Sequence, residues 1–183
     1  MRIFLFLFSV LIPFSVFAFT DLKEEKRVVG KIRAEFLAPK KSEVFKNRKF
    51  SNEDFRNRSF EGVKFINCEF KGVKFRNARF KNTVFEKCKF DKSDFTLAYF
   101  KFSKFKNCKL KYCIFSHCRY EYTDFLYSVI KRCDFSGSKI INSGFIKSDL
   151  SGSVWIDGKK CLKGSVGKCL LPEKKKKFRL YIP

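Results

Sequence analysis

Phe60-Glu61-Gly62-Val63-Lys64-Phe65-Ile66-Asn67-Cys68-Glu69-Phe70-Lys71-Gly72-Val73-Lys74-Phe75 places a phenylalanine at every fifth residue, with a small residue two before each of the last three. In both directions the register holds. It begins at Phe45, Phe50 and Phe55 and runs through Phe80, Phe85, Phe90, Phe95, Phe100, Phe105, Leu110, Phe115, Tyr120, Phe125, Ile130, Phe135, Ile140, Phe145 and Leu150 to Trp155. That makes 23 consecutive matches and takes in 17 of the 26 phenylalanines, too many for chance. A helix would advance about 140° per five residues and smear the rings around its circumference. A continuous strand would send alternate rings to opposite faces. The rings share one interior only if the chain turns a corner every five residues, and so strict a repeat points to a solenoid.

The other positions of the pentad agree. The residue two before each centre is small, as at Val63, Cys68, Ala78, Thr83, Ser93, Ser103, Cys118, Ser128, Ser138 and Ser153. In an extended segment it faces inward beside the ring, and small next to large fills a narrow tube. The residue two after the centre is Asn or Gly at Asn47, Asn52, Asn57, Gly62, Asn67, Gly72, Asn77, Asn82, Asn107, Gly137, Asn142 and Gly152, types suited to a corner. Flanking positions are mostly charged or Ser and face water.

Segments such as Ser93-Asp94-Phe95, Cys133-Asp134-Phe135 and Ser148-Asp149-Leu150 resemble the pentapeptide-repeat family, whose loose motif is Ala, Asp or Asn, Leu or Phe, then two variable residues. The resemblance covers residues 43–157. It implies an all-β, right-handed quadrilateral β-helix with 20 residues per coil and nearly six coils, rising roughly 25 to 30 Å at strand spacing. Phe65, Phe80, Phe85, Phe100, Phe105 and Phe125 then belong to the core ladder, each burial worth about 1.5 to 3 kcal/mol before entropy.

Residues 1–18 have the layout of a secretory signal peptide: Arg2, an apolar run, and Val16 and Ala18 at the small positions before a cut. The expected product starts at Phe19, is periplasmic or secreted, and has no transmembrane segment after cleavage. Residues 19–42 form an N-terminal segment or cap, and residues 158–183 a C-terminal cap with a basic tail at Lys174–Lys177. Six cysteines, Cys68, Cys88, Cys108, Cys113, Cys118 and Cys133, occupy the inward small position and read as buried free thiols behaving as small hydrophobes. Cys161 and Cys169 close a short Gly-rich loop beyond the array, which in an oxidising compartment reads as a disulfide. This ending looks like the tail of exported members of the family, capping the open core.

No metal or cofactor is expected, and catalysis is disfavoured. The single histidine, His117, falls on an outward corner, and the carboxylates are scattered by the repeat. A formal net charge of +23 is the more informative property. The 20-residue columns concentrate cations on the face centred on Phe60, Phe80 and Phe100, where Arg79, Lys81, Lys101 and Arg119 lie near Tyr99, Phe102 and Tyr122. These seven residues are the candidate binding strip for an anionic envelope polymer or an acidic protein. A homodimer or protein-interaction module is the alternative. Family members that mimic duplex DNA and protect gyrase from quinolones are acidic and cytoplasmic, so the resemblance argues against mimicry here. Nucleic-acid binding is disfavoured by the absence of a base-reading motif.

Overall fold

The computed structural model describes residues 43–172, so the signal peptide expected at 1–18, the segment 19–42 and the Lys174–Lys177 run lie outside the described residues. A corner every five residues, with the rings inside, produces a right-handed β-solenoid with four sides. Strands are three residues long and pair in parallel with the strand 20 residues on: Val44–Lys46 with Lys64–Ile66, Lys49–Ser51 with Glu69–Lys71, and Ser59–Glu61 with Arg79–Lys81. Three parallel sheets of five strands result. Face one carries Phe45, Phe65, Phe85, Phe105 and Phe125. Face two carries Phe50, Phe70, Phe90, Leu110 and Ile130. Face four carries Phe60, Phe80, Phe100, Tyr120 and Ile140. Five coils therefore have paired strands, and single bridges such as Val129 to Asp149 extend the pairing into a partial sixth.

Face three, through Phe55, Phe75, Phe95, Phe115 and Phe135, pairs by single bridges instead: Asp54, Lys74, Asp94, Ile114, Asp134 and Val154 in succession. Its corners tighten into β-turns. The N–H of Ala78 donates to the carbonyl of Phe75 at 3.0 Å, and that of Ala98 to Phe95 at 2.8 Å. Only the third residue of each turn has positive φ (Asn77 55°, Leu97 61°), the signature of a type II turn.

The core is the ring ladder. Phe65, Phe80, Phe85, Phe100, Phe105 and Phe125 are all buried. Each stacks on its counterpart one coil away, as Phe80 on Phe100 at 4.8 Å and 7°, and Phe105 on Phe125 at 4.5 Å and 6°. Neighbouring columns meet edge to face, as Phe100 meets Phe105 at 5.6 Å and 62°. Both arrangements are the favoured ones for aromatic quadrupoles.

The inward Ser, Thr and Cys side chains do more than fill space. Parallel pairing leaves the N–H of the inward residue pointing along the tube, where no strand carbonyl reaches it. The hydroxyl one coil on accepts it: Thr83 N to Ser103 Oγ at 3.2 Å, Cys108 N to Ser128 Oγ at 3.1 Å, Ser128 N to Ser148 Oγ at 3.0 Å. The same hydroxyls donate to the carbonyls of ring residues 23 positions earlier, as Ser148 Oγ to Phe125 at 2.9 Å. The thiols copy this: Cys88 Sγ donates to the Phe65 carbonyl at 3.3 Å and Cys118 Sγ to Phe95 at 3.0 Å. The reading of these cysteines as small hydrophobes is therefore incomplete, because they also satisfy buried backbone. All six are free and buried.

Tyr120 departs from this economy. It is 1% exposed, and its hydroxyl, with the Cys118 thiol as a weak hydrogen-bonding neighbour, finds no nitrogen or oxygen partner. Smaller Leu110 replaces Phe in the same coil, and Ile130 and Ile140 in the next. A buried orphan hydroxyl costs about 1 to 3 kcal/mol. Tyr120→Phe is expected to raise the stability by about 1 kcal/mol in chemical denaturation. An unchanged or lower midpoint would show that the hydroxyl has a partner in solution.

The upper end is closed by a change of strand direction. Val154 bridges Lys160, and Asp149 bridges Val166, both antiparallel. Leu150 N donates to Ser165 O at 2.8 Å, and Gly152 N to Cys161 O at 3.0 Å, so the last coil's free donors are consumed. The Cys161–Cys169 disulfide, with Cα atoms 5.1 Å apart, pins this segment, and Trp155 meets Phe145 edge-on at 5.4 Å beneath it. A covered edge cannot template further strands. Among the described residues no helix is long and apolar enough to cross a membrane.

Candidate functional site

Face four brings the candidate strip together. Outward side chains of adjacent strands stand in register, so Arg79, Tyr99, Arg119 and Lys139 form one ladder, and Lys81, Lys101 and Glu121 the next. The strip is largely self-neutralised, however. Glu121 accepts from the Tyr99 hydroxyl at 2.7 Å and from Arg119 Nε at 2.6 Å, and Lys101 Nζ lies 3.6 Å away. The Tyr99 hydrogen bond first, and the Arg119 guanidinium next, hold its carboxyl below the usual range. Lys81 pairs with Glu61 at 2.8 Å. Of the four candidate cations, Arg79 alone has no ion-pair partner among the described residues. Phe102 and Tyr122 stack at the adjoining corner, 5.1 Å apart, with Lys101 Nζ 5.5 Å from the Phe102 ring.

The corners carry the least economical choice in the molecule. Every corner residue has left-handed φ, between 47° and 79° along the array. From Asn47 to Asn82 all eight are Asn or Gly, the types that tolerate it. From Lys87 to Arg132 the corners are instead Lys87, Lys92, Leu97, Phe102, Asn107, Tyr112, His117, Tyr122, Tyr127 and Arg132. Gly137, Asn142 and Gly152 restore the permissive types, with Lys147 between them. A bulky residue held in this conformation costs on the order of 1 kcal/mol or more. Leu97, Phe102, Tyr112, Tyr122 and Tyr127 are nonetheless about half exposed, so burial does not offset the strain. Cations sit on several of these rings: Arg132 on Tyr112 and Lys147 on Tyr127, each at 5.5 Å. The result is a band of exposed aromatics and cations around the middle coils, wider than the strip read from sequence.

Face two adds cations that the sequence reading left outside its candidate set. Lys109 stands beside Lys89, and Lys111 beside Lys131, on neighbouring strands. Glu69 takes Lys89 at 2.8 Å and Asp149 takes Lys131 at 3.4 Å, whereas Lys109 and Lys111 have no ion-pair partner among the described residues. The signal was the 20-residue interval from Lys111 and Tyr112 to Lys131 and Arg132.

No catalytic constellation forms on this surface. His117 is exposed, its ring lying over Gly137. Burial pushes the Cys118 thiol up to about 12 and raises that of Cys108, so both are protonated at neutral pH and inert as nucleophiles. Among the described residues no three His, Cys, Asp or Glu side chains group to hold a metal.

A family model described as Pentapeptide repeat region matches residues 42–115. Solved structures with the same repeat include trypsin-treated QnrB1, a plasmid-mediated fluoroquinolone resistance protein. It is 23% identical over 61% of this chain and 66% of that one, just under two thirds, with a TM-score of 0.42. A pentapeptide repeat protein of the Arabidopsis thaliana thylakoid lumen is 16% identical over 64% and 84%, TM-score 0.38. HetL, involved in heterocyst differentiation regulation in the cyanobacterium Nostoc, is 7% identical over 71% and 97%, TM-score 0.26. No curated protein sequence matches the chain.

Proposed function

The array is a pentapeptide-repeat β-helix, and on that premise we propose that this protein is a non-enzymatic binding body whose middle coils hold an anionic partner. The observation that carries the reading is the run of strained, exposed corners from Lys87 to Arg132. A fold that places Asn or Gly at its first eight corners has a cheaper solution for all of them. Strain accepted where the side chain stays about half exposed marks a surface kept for contact. The residues chosen are aromatic and cationic, the pairing that grips anions and sugar or peptide faces. The apolar leader and the Cys161–Cys169 disulfide favour an exported protein, with the partner an envelope polymer or an acidic protein.

The test is retention on an immobilised anionic polysaccharide across a salt series. Affinity is expected to fall on the order of tenfold or more between low salt and about 0.3 M. Salt-insensitive retention, or none at low salt, defeats the reading. Self-association that ignores salt would favour a homodimer instead.

A further inference from the structure

We propose that Lys111, Lys131 and Arg132, braced by Tyr112, form a binding site for a phosphate-type oxyanion at the corner between faces two and three. The inference rests on the anionic-partner reading and gives that partner a chemistry.

Lys111 and Lys131 are direct cross-strand neighbours, about 4.8 Å apart at the backbone, an arrangement in which like charges repel. Asp149 offsets Lys131 from one side at 3.4 Å. Asp91 lies one strand away from Lys111 in register but forms no ion pair with it, and Lys92 adds a further cation at the corner on that side. Arg132 has no carboxylate partner among the described residues. It donates from Nη1 to the Tyr112 hydroxyl at 2.8 Å and lies 5.5 Å from that ring, which holds the guanidinium in place. These four residues together line a shallow groove of about 240 Å³.

The backbone argues that they were placed there at a cost. Their corner column reads Asn52, Gly72, Lys92, Tyr112, Arg132, Gly152, with φ of 55° at Tyr112 and 54° at Arg132. Glycine serves elsewhere in the same column. On face four, by contrast, Glu121 already engages Arg119 and Lys101, and Glu61 engages Lys81.

The donor set selects the ligand. With Asp149 already beside Lys131, one carboxylate would still leave the guanidinium and two ammonium groups with an uncompensated positive charge. A phosphate ester offers several acceptor oxygens and close to two charges when terminal, enough for a guanidinium and two flanking lysines at once. Lys109, two residues earlier on the strand of Lys111, extends the positive field across the face. The phosphate could be presented by a lipid headgroup or by a soluble or polymeric ester.

The purified protein titrated with inorganic phosphate should show amide shifts concentrated at residues 111, 112, 131 and 132 in NMR spectra. The double variant Lys111→Gln, Arg132→Gln should bind about tenfold more weakly or worse. Tyr112→Asn, which suits a left-handed corner and so keeps the fold, should also weaken binding. Vesicles of phosphatidylglycerol in phosphatidylcholine separate the sources: retention competed by inorganic phosphate assigns the headgroup, and phosphate binding without retention assigns a non-lipid ester. Shifts spread evenly to Arg79 and Lys104, or a double variant that binds as well as the parent, overturn the site. If salt-sensitive polymer binding persists in that case, the broader reading survives and only the site is lost.

Discussion

Phe105→Ala should lower the unfolding free energy by about 3 to 5 kcal/mol, the range for emptying a fully packed aromatic site. Phe105 is completely buried and stacks on Phe85 at 4.7 Å and Phe125 at 4.5 Å, while Phe90, Phe100 and Phe115 approach edge-on or nearly so. Its neighbours are backbone-locked in parallel ladders above and below, so they cannot collapse into the void. In a solenoid each coil touches only the next, and a weak central coil uncouples the two ends. The variant should therefore unfold over a broader denaturant range as well as at a lower midpoint. Two controls bracket the effect. Phe50→Ala, at a partly buried position, should cost less than Phe105→Ala. Phe105→Leu should cost about 1 to 1.5 kcal/mol, because Leu110 already serves as a ladder residue in the same coil. A Phe105→Ala loss below about 1 kcal/mol would mean that the ring column is not the main support of the fold.

The column itself was legible because a five-residue period has one physical solution, and a 20-residue coil follows from four corners. The stacking of Phe80 on Phe100 and of Phe102 on Tyr122 follows from that count. What the repeat did not disclose depends on side-chain reach. Glu121 lies two residues from Arg119 and 22 from Tyr99, and nothing in the pentad says that one carboxylate will collect both. Asn and Gly announced the early corners, yet Leu97, Tyr112 and Tyr127 take the same left-handed φ with no local signal. There the register of the rings, and hence tertiary packing, overrides the residue's own preference. The single-bridge pairing of face three was hidden for a related reason, since it arises from turns closed by backbone groups common to every pentad.

The inward small position shows best how size and hydrogen bonding were conflated in the sequence. Cys68, Cys88, Cys108, Ser128 and Ser148 form one column, and a size argument alone treats them as equivalent to alanine. Ser128 Oγ instead accepts from Cys108 N at 3.1 Å and lies within donating range of the Phe105 carbonyl at 3.1 Å and the Leu126 carbonyl at 3.0 Å. Ser128→Ala strands the buried Cys108 N–H in a tube too tightly filled by rings for an easy substitute. The expected loss is about 2 kcal/mol, the cost of an unmet buried donor. Ser128→Cys should lose less than half as much, since a thiol here still donates to a ring carbonyl, as Cys108 Sγ does to Phe85 at 3.3 Å one coil below, and its sulfur is a weak acceptor for the Cys108 N–H. Alanine at Ala78 and Ala98 causes no such loss, because the N–H groups one coil earlier, those of Arg58 and Ala78, donate to the turn carbonyls of Phe55 at 3.2 Å and Phe75 at 3.0 Å. Equal midpoints for Ser128→Ala and the parent protein in denaturant titrations would reduce the column to a question of volume. A graded series, serine above cysteine above alanine, would instead establish that the tube interior is held by hydrogen bonds threaded between coils as well as by its rings.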